Sequence, residues 1–275
     1  MTRIALVQST TGIDPAANAA RLVSAIGEAS AGGATMLFTP EMSNLLDRES
    51  RRAARSIRAE EDDEVLAACR EAAREHGIWV HLGSLAVLTD DGKIANRAFV
   101  IDRTGEIRAR YDKIHLFDVD LPTGESWRES AVYQRGERAV LVNGTPVGKL
   151  GLTICYDLRF PGLFARLAEA NADLIAVPAA FTVPTGKAHW HILLRARAIE
   201  AGLFVVAAAQ VGRHEDGRQT FGHSLVIDPW GEILLDMGEA AGVGFADIDL
   251  ARISDVRSRI PALSHRRTIP EAVTL

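Results

Sequence analysis

Three residues of this chain combine into a chemical set. Glu41 follows the apolar run TMLFTP, Lys113 sits in RYDKIHLF, and Cys155 closes GKLGLTIC just before the turn YDLRFP. Each stands at the end of a strand-like run, where open α/β sheets present ligand-contacting side chains. Taken singly, each has a plainer reading: Glu41 as a helix-capping or surface acid, Lys113 as a solvated loop charge, Cys155 as a small packed hydrophobe. Together they supply the parts of acyl transfer. A thiolate is a nucleophile, a carboxylate can take the thiol proton and later give it to a leaving amine, and an ammonium can hold an oxyanion. A free thiol with pKa near ~8.5 is mostly protonated at neutral pH, so Glu41 and Lys113 are expected jointly to favour the reactive form. On residue types alone a Cys–His pairing, with His115 or His223 as base, competes with this set.

The elements that must position these groups alternate. RIALVQS is strand-like, Asp14 and Pro15 open a helix as N-cap and first-turn residue, and TMLFTPE is again strand-like, which makes a βαβ unit. A second helix is predicted over AEEDDEVLAACREAAREH, with acidic residues in its first turn and Gly77 as its stop. Residues 78–110 change pattern: IWVHLGSLAV, NRAFVID and IRARYD, joined by DDGK and RTGE, predict antiparallel hairpins in the same sheet. After Cys155 come a helix over about 160–170, the strand DLIAVPAAF, the helix AHWHILLRARAIEAG, the strand FVVAAAQVG and a hairpin around DPWGE. LIAVPAA and FVVAAAQ are apolar almost without a break, as central strands covered on both faces are. The expected fold is α/β with mixed sheets, a four-layer α-β-β-α sandwich. No linker-like segment divides the chain and no repeat is visible, so residues 1–275 are expected to form one domain. Residues 261–275, PALSHRRTIPEAVTL, lack apolar periodicity and are expected on the surface or across a partner subunit.

FTPEM, YDKIHLFDVD and GLTICYDLRFP resemble the three signature blocks of the nitrilase superfamily of carbon–nitrogen hydrolases, in the same order and at similar separations. The resemblance runs from RIALVQ to HRR, and LPTGESWRES, AHWHILLRARAIE, AAAQVGRH and GHSLVIDPWG resemble its amidase branch, which holds deaminated glutathione amidase and omega-amidase. It implies the nitrilase-type sandwich and makes Glu41 the general base, Lys113 the oxyanion and positioning cation, and Cys155 the nucleophile. It also implies that the Tyr156 backbone N–H completes the oxyanion hole and that Glu129, in WRES, lies in the pocket near Lys113 and helps orient the amide. Glu125 in the same loop competes with Glu129 for that role. Asp157 and Arg159 flank the nucleophile and are expected to brace the turn by pairing their charges. Related amidases usually carry a glutamate where this chain has His191. The implied reaction is hydrolysis of the amide of a small carboxylate-bearing substrate through a thioester, with deaminated glutathione favoured. An omega-amidase, an N-carbamoyl amino acid hydrolase, a nitrilase, and a non-catalytic binding protein on the same scaffold are the rivals. Arg128, Arg159 and Arg195 are equal candidates to meet a substrate carboxylate.

Composition narrows the partners. The chain has 275 residues, 47% of them hydrophobic, with 31 basic and 36 acidic side chains in no long run of one sign, so no electrostatic footprint for nucleic acid or an anionic membrane is visible. Aromatics make up 6% and are not interleaved with a basic stripe, so a base-stacking platform is not expected. Neither a GxxxxGK[ST] loop nor a GxGxxG fingerprint follows a strand, and no cofactor is implied. His189 and His191 are two apart and do not make an HExxH face, so no metal is expected. Only two cysteines occur, Cys69 and Cys155, which is not the usage of a disulfide scaffold. With no h-region at the N-terminus and no apolar stretch of roughly 20 residues, a cytoplasmic protein without a membrane span is expected. A homodimer or higher homo-oligomer is expected from the resemblance and the unpatterned tail.

Overall fold

The computed structural model describes residues 1–120, 124 and 126–274. Two mixed sheets form its centre. The first runs Gly242–Ile248, Thr2–Gln8, Met36–Phe38, Trp79–Leu88, Ile94–Ile101, Ile107–Asp112, and the second Val140–Thr145, Gly148–Leu152, Leu174–Ala176, Phe204–Ala207, Leu225–Ile227, Ile233–Asp236. Six α-helices lie among the described residues: α1 (Pro15–Ala31), α2 (Ser50–Ala53), α3 (Glu64–His76), α4 (Pro161–Glu169), α5 (Val183–Ala201) and α6 (Ala251–Arg259).

The layering follows from side-chain alternation. Along the first strand, Ile4 and Leu6 join one buried cluster while Ala5 and Val7 join another, because successive side chains leave a strand on opposite faces. Ala5, Val7, Leu37, Val80 and Leu82 pack under Leu22 and Ile26 of α1 and Leu66 and Cys69 of α3. Ile4, Leu6, Met36 and Phe38 meet the second sheet, whose strands share that cluster with Leu163, Phe164 and Leu167 of α4 and Trp190 and Leu194 of α5. The order is therefore α-β-β-α, as expected. Leu174, Ile175, Phe204 and Val205 are at most 1% exposed, which is the double-sided burial their unbroken apolar runs predict.

Local signals set most boundaries. Asp14 caps α1 by accepting from Ala16 N, and the strands on either side of α1 pair in parallel. The second predicted helix is divided: Asp63 accepts from Leu66 N at 2.8 Å and so starts α3, leaving Glu60–Asp62 as a separate 3-10 turn. Gly77, at φ +62°, closes α3 in the left-handed conformation that a side chain resists. The Trp79–Leu88, Ile94–Ile101 and Ile107–Asp112 strands are antiparallel neighbours. Helix α5 begins at Val183, five residues ahead of its predicted start, because Pro184 fits the first helical turn. The edge strand Gly242–Ile248, paired antiparallel with Thr2–Gln8, and helix α6 were not foreseen from the pattern. Among the described residues the tail is held where Leu263 packs against the core and where Arg266 donates to Ala165 O and Glu169 Oε1 of α4 at 3.1 and 3.2 Å.

Candidate active site

Strand ends deliver the three catalytic candidates to one place. Glu41 follows Met36–Phe38, Lys113 follows Ile107–Asp112, and Cys155 follows Gly148–Leu152. The turn Thr39–Pro40 lies so close over Gly83 that any Cβ there would collide with its carbonyls. Glycine at that position is what lets Glu41 dip between the sheets. Met42 and Cys155 both take positive φ, +57° and +47°, a conformation costly for residues with a Cβ and concentrated where surrounding contacts enforce it. The enforcing contacts are Ser84 Oγ accepting from Met42 N at 2.9 Å and Pro178 O accepting from Cys155 N at 2.9 Å.

Glu41, Lys113 and Cys155 are buried, at 4, 2 and 7% exposure, and line one cavity of about 340 Å³. Lys113 Nζ donates to Glu41 Oε1 at 2.8 Å and to Glu129 Oε2 and Oε1 at 2.9 and 3.1 Å. Asn96 Nδ2 donates to Glu41 Oε1 at 2.9 Å and Glu129 Oε1 at 3.1 Å, and Ala180 N to Glu41 Oε2 at 2.9 Å. Phe117 N donates to Glu129 Oε2 at 2.6 Å. The Cys155 thiol lines the same cavity as the Glu41 carboxylate, close enough for the two groups to act on each other's ionisation. Glu129 therefore sits where the family pattern implies, against Lys113, while Glu125 lies outside the described residues. Among the described residues the Tyr156 N–H has no acceptor, so it is free to donate into the cavity that Tyr156 lines.

The electrostatics correct one expectation. Burial is the largest influence on Glu41 and opposes its charged form, but the Lys113 charge and the hydrogen bonds to the carboxylate together outweigh it and hold the carboxyl below its ordinary 4.5. Lys113, also opposed by burial, is driven well above 10.5 by Glu129 and Glu41. The Cys155 thiol is pushed well above 9.0 by burial and then by the Glu41 charge, with only Lys113 and the Ala180 N–H pulling it down. Glu41 and Lys113 thus do not jointly favour the thiolate. The resting pair is thiol and carboxylate.

Arg197 donates from Nε and Nη2 to Leu158 O at 3.1 and 2.9 Å, and the rest of the turn after Cys155 is braced by Asp157. This fully buried carboxylate accepts from Tyr111 Oη at 2.7 Å, Ile154 N at 2.9 Å and His115 N at 3.0 Å, and meets His115 Nδ1 at 2.6 Å. It locks the Lys113 loop to the Cys155 turn. The expected Asp157–Arg159 pair is not formed, because Arg159 points outward to His189 Nδ1 at 3.3 Å. His115, held by Asp157 and stacked on Phe160 at 3.6 Å, and His223, held by Asp236 at 2.9 Å, do not line the cavity that holds Cys155.

Asn96 escaped the sequence reading, since a polar residue inside the strand pattern NRAFVID carries no signal of its own. Arg48 and Arg218 were also missed. They flank Trp127 at 5.2 and 5.0 Å and line the cavity, as does Arg128. Arg195, spent on Gly231 O at 2.8 Å, and Arg159 do not.

Comparison with known proteins agrees with this geometry. The carbon–nitrogen hydrolase family model matches residues 3–258. Deaminated glutathione amidase of Yersinia enterocolitica is 40% identical over 98% of this chain and 94% of its own, and that of Rattus norvegicus 38% over 96% and 82%. Among solved structures, the Caenorhabditis elegans NitFhit protein superposes with a TM-score of 0.89 at 39% identity, covering 97% of this chain and 65% of that one. Saccharomyces cerevisiae Nit3, of the nitrilase superfamily, gives 0.86 at 27% over 97% and 96%. A mutant amidase from Nesterenkonia sp. AN1, in complex with acrylamide, gives 0.81 at 28% over 97% and 94%. Another structure of that amidase shows the acetamide moiety of fluoroacetamide added covalently at its active-site cysteine. With a matching family model across nearly its whole length and relatives of this identity, the chain belongs to the carbon–nitrogen hydrolase family and is an enzyme of the amidase kind.

Proposed function

We propose that Cys155, Glu41 and Lys113 hydrolyse the amide of deaminated glutathione or a close 2-oxo acid analogue. The observation that carries this is the Glu41 carboxylate, which accepts from the Lys113 ammonium and lines the same buried cavity as the Cys155 thiol. Sγ attacks the amide carbonyl while its proton passes to Glu41. The tetrahedral oxyanion is held by the free Tyr156 N–H and by Lys113, two of whose three protons are taken by the carboxylates. Collapse breaks the C–N bond as Glu41 protonates the leaving nitrogen, leaving a thioester. Water, deprotonated by Glu41, adds to the thioester, and expulsion of sulfur with return of the proton restores the thiol and releases the acid. Glu129, bonded to Lys113, Asn96 and Phe117 N, holds the cation in place. The active-site cysteine named in the Nesterenkonia amidase supports the same role for Cys155.

The substrate is a finer proposal. Curated relatives such as those of Yersinia enterocolitica and Rattus norvegicus are deaminated glutathione amidases, and the cavity extends from the thiol past Ile57, Trp127 and Tyr133, which leaves room for the cysteinylglycine leaving group of a secondary amide. Of the arginines lining it, Arg128 pairs with Asp120 at 2.9 Å and Arg218 with Asp216 at 2.8 Å, whereas Arg48 has no ion-pair partner among the described residues. Arg48 is therefore assigned to a substrate carboxylate. The test is kcat/KM for deaminated glutathione against 2-oxoglutaramate, in wild type and Arg48→Gln. Deaminated glutathione should be the better substrate, and the variant should lose about tenfold or more on carboxylate-bearing amides while keeping its rate on propionamide. Preference for 2-oxoglutaramate would make the chain an omega-amidase. No ammonia or amine release from any amide would leave only the binding-protein reading.

The whole chain acts as one catalytic domain in this proposal, and it self-associates. Ile199, Trp230 and Ile260, each more than half exposed, converge on one apolar hollow, which a second copy would cover. Sedimentation should show a dimer or larger, and a clean 30 kDa monomer would remove this part. Two unpaired cysteines fit a reducing cytoplasm. Among the described residues no helix is long and apolar enough to cross a membrane.

A further inference from the structure

We propose that His191, His223 and Asp236 form a second site, separate from the catalytic cavity, that binds one divalent transition-metal ion of the zinc class. The three come from different elements: His191 from α5, His223 from the loop after the strand Gln219–Phe221, and Asp236 from the end of Ile233–Asp236. None of them lines the cavity that holds Cys155. His191 Nε2 lies 3.0 Å from Asp236 Oδ2, and His223 Nδ1 lies 2.9 and 3.2 Å from Oδ1 and Oδ2. All three candidate donor atoms fall within 4.8 Å of one another. Ligands at ~2.0–2.2 Å from a tetrahedral ion are about 3.4 Å apart, so side-chain shifts of well under a residue's width would seat the ion.

The donor set is chemically apt. Two imidazoles and one carboxylate suit zinc and its neighbours better than calcium or magnesium, which prefer oxygen alone. The surroundings also hold the donors in place. Asp236 Oδ1 accepts from Gly238 N at 2.9 Å, an outer contact of the kind that orients a ligating carboxylate. His223 is fixed at φ +53°, its N–H donating to Gly238 O at 2.7 Å and its carbonyl accepting from Trp190 Nε1 at 2.8 Å, with its ring stacked on Phe221 at 4.5 Å. A histidine kept in that backbone conformation is held by its neighbours. Side-chain exposures of 31, 22 and 33% leave the fourth position to water or an outside ligand. The ion would tie α5 to the last hairpin of the second sheet. It takes no part in acyl transfer, though Trp190, between His223 and the cavity residue Phe181, lies 4.8 Å from that ring.

Chelator-treated full-length protein is titrated with zinc chloride by calorimetry and with cobalt chloride by absorption at pH 7.5, in wild type, His191→Gln and Asp236→Asn. Expected are one ion per chain, a higher Tm with zinc, a cobalt spectrum without the thiolate charge-transfer band, and at least tenfold weaker binding in both variants. Amidase turnover of the metal-free chain should be unchanged. Having the two substitutions on separate elements guards against the folding failure of either one. Absence of saturable binding, equal affinity in the variants, or a thiolate band placing the ion at Cys155 would each overturn the proposal.

Discussion

Replacing Lys113 by methionine removes the one cation at the centre of the site and should separate two effects that the structure places on the same atom. The ammonium is 2% exposed on its side chain and bonds two carboxylates that pair with no other cation among the described residues. Breaking a buried pair by deleting one partner costs about 3–5 kcal/mol, and at roughly 2 °C per kcal/mol for a chain of this size Tm should fall by about 6–10 °C. Loss of one oxyanion donor costs a further factor of about 10²–10³ in kcat. The double variant Lys113→Met with Glu129→Gln removes one stranded carboxylate and leaves Glu41 with its Asn96 and Ala180 donors, so it should regain about half of the lost stability and none of the activity. Scanning calorimetry and amine release on the same preparations read both quantities. A single variant that keeps more than about a tenth of wild-type kcat/KM, or a double variant whose activity returns with its stability, would refute the role given to Lys113.

Two further outcomes follow from charge and burial. Glu41 is held below 4.5 and Lys113 above 10.5, so the base stays ionised and the cation charged from about pH 5.5 to 9, and kcat/KM should be flat across that window. An acid limb with a midpoint near 6.5 would indicate a histidine base instead. Fluoroacetamide should label Cys155, which opens into the cavity beside Glu41, and spare Cys69, which is fully buried and lines no part of that cavity. Peptide mapping after partial inactivation shows which cysteine carries the adduct, and labelling of Cys69 at a comparable rate would reverse the assignment.

The sandwich was legible because burial writes itself into strand composition. The unbroken runs around Leu174 and Phe204, the Asp14 cap and the Gly77 stop are local signals, and local interactions decide them. Glu41, Lys113 and Cys155 were legible as a set because each ends a strand-like run and the blocks around them resemble the family's three signature blocks. What the sequence hid is what depends on contacts distant along the chain. Asp63 cut a helix that composition made continuous. Asn96 gained its role only by facing Glu41 and Glu129 across the sheet. The Asp157–Arg159 pair, natural from adjacency, lost to Tyr111 and His115, which are brought to Asp157 by folding. The direction of the thiol shift was misjudged because a carboxylate that accepts a proton also repels the thiolate it would leave behind.

The central claim, that Cys155 carries the acyl group, is tested most directly by mass-spectrometric peptide mapping of enzyme acid-quenched during steady-state turnover of an amide substrate. The account predicts a thioester on the peptide containing Cys155, abolished by hydroxylamine before digestion and absent, together with all turnover, in Cys155→Ala. Sustained amide hydrolysis by folded Cys155→Ala, or an acyl group on any other residue, would contradict it.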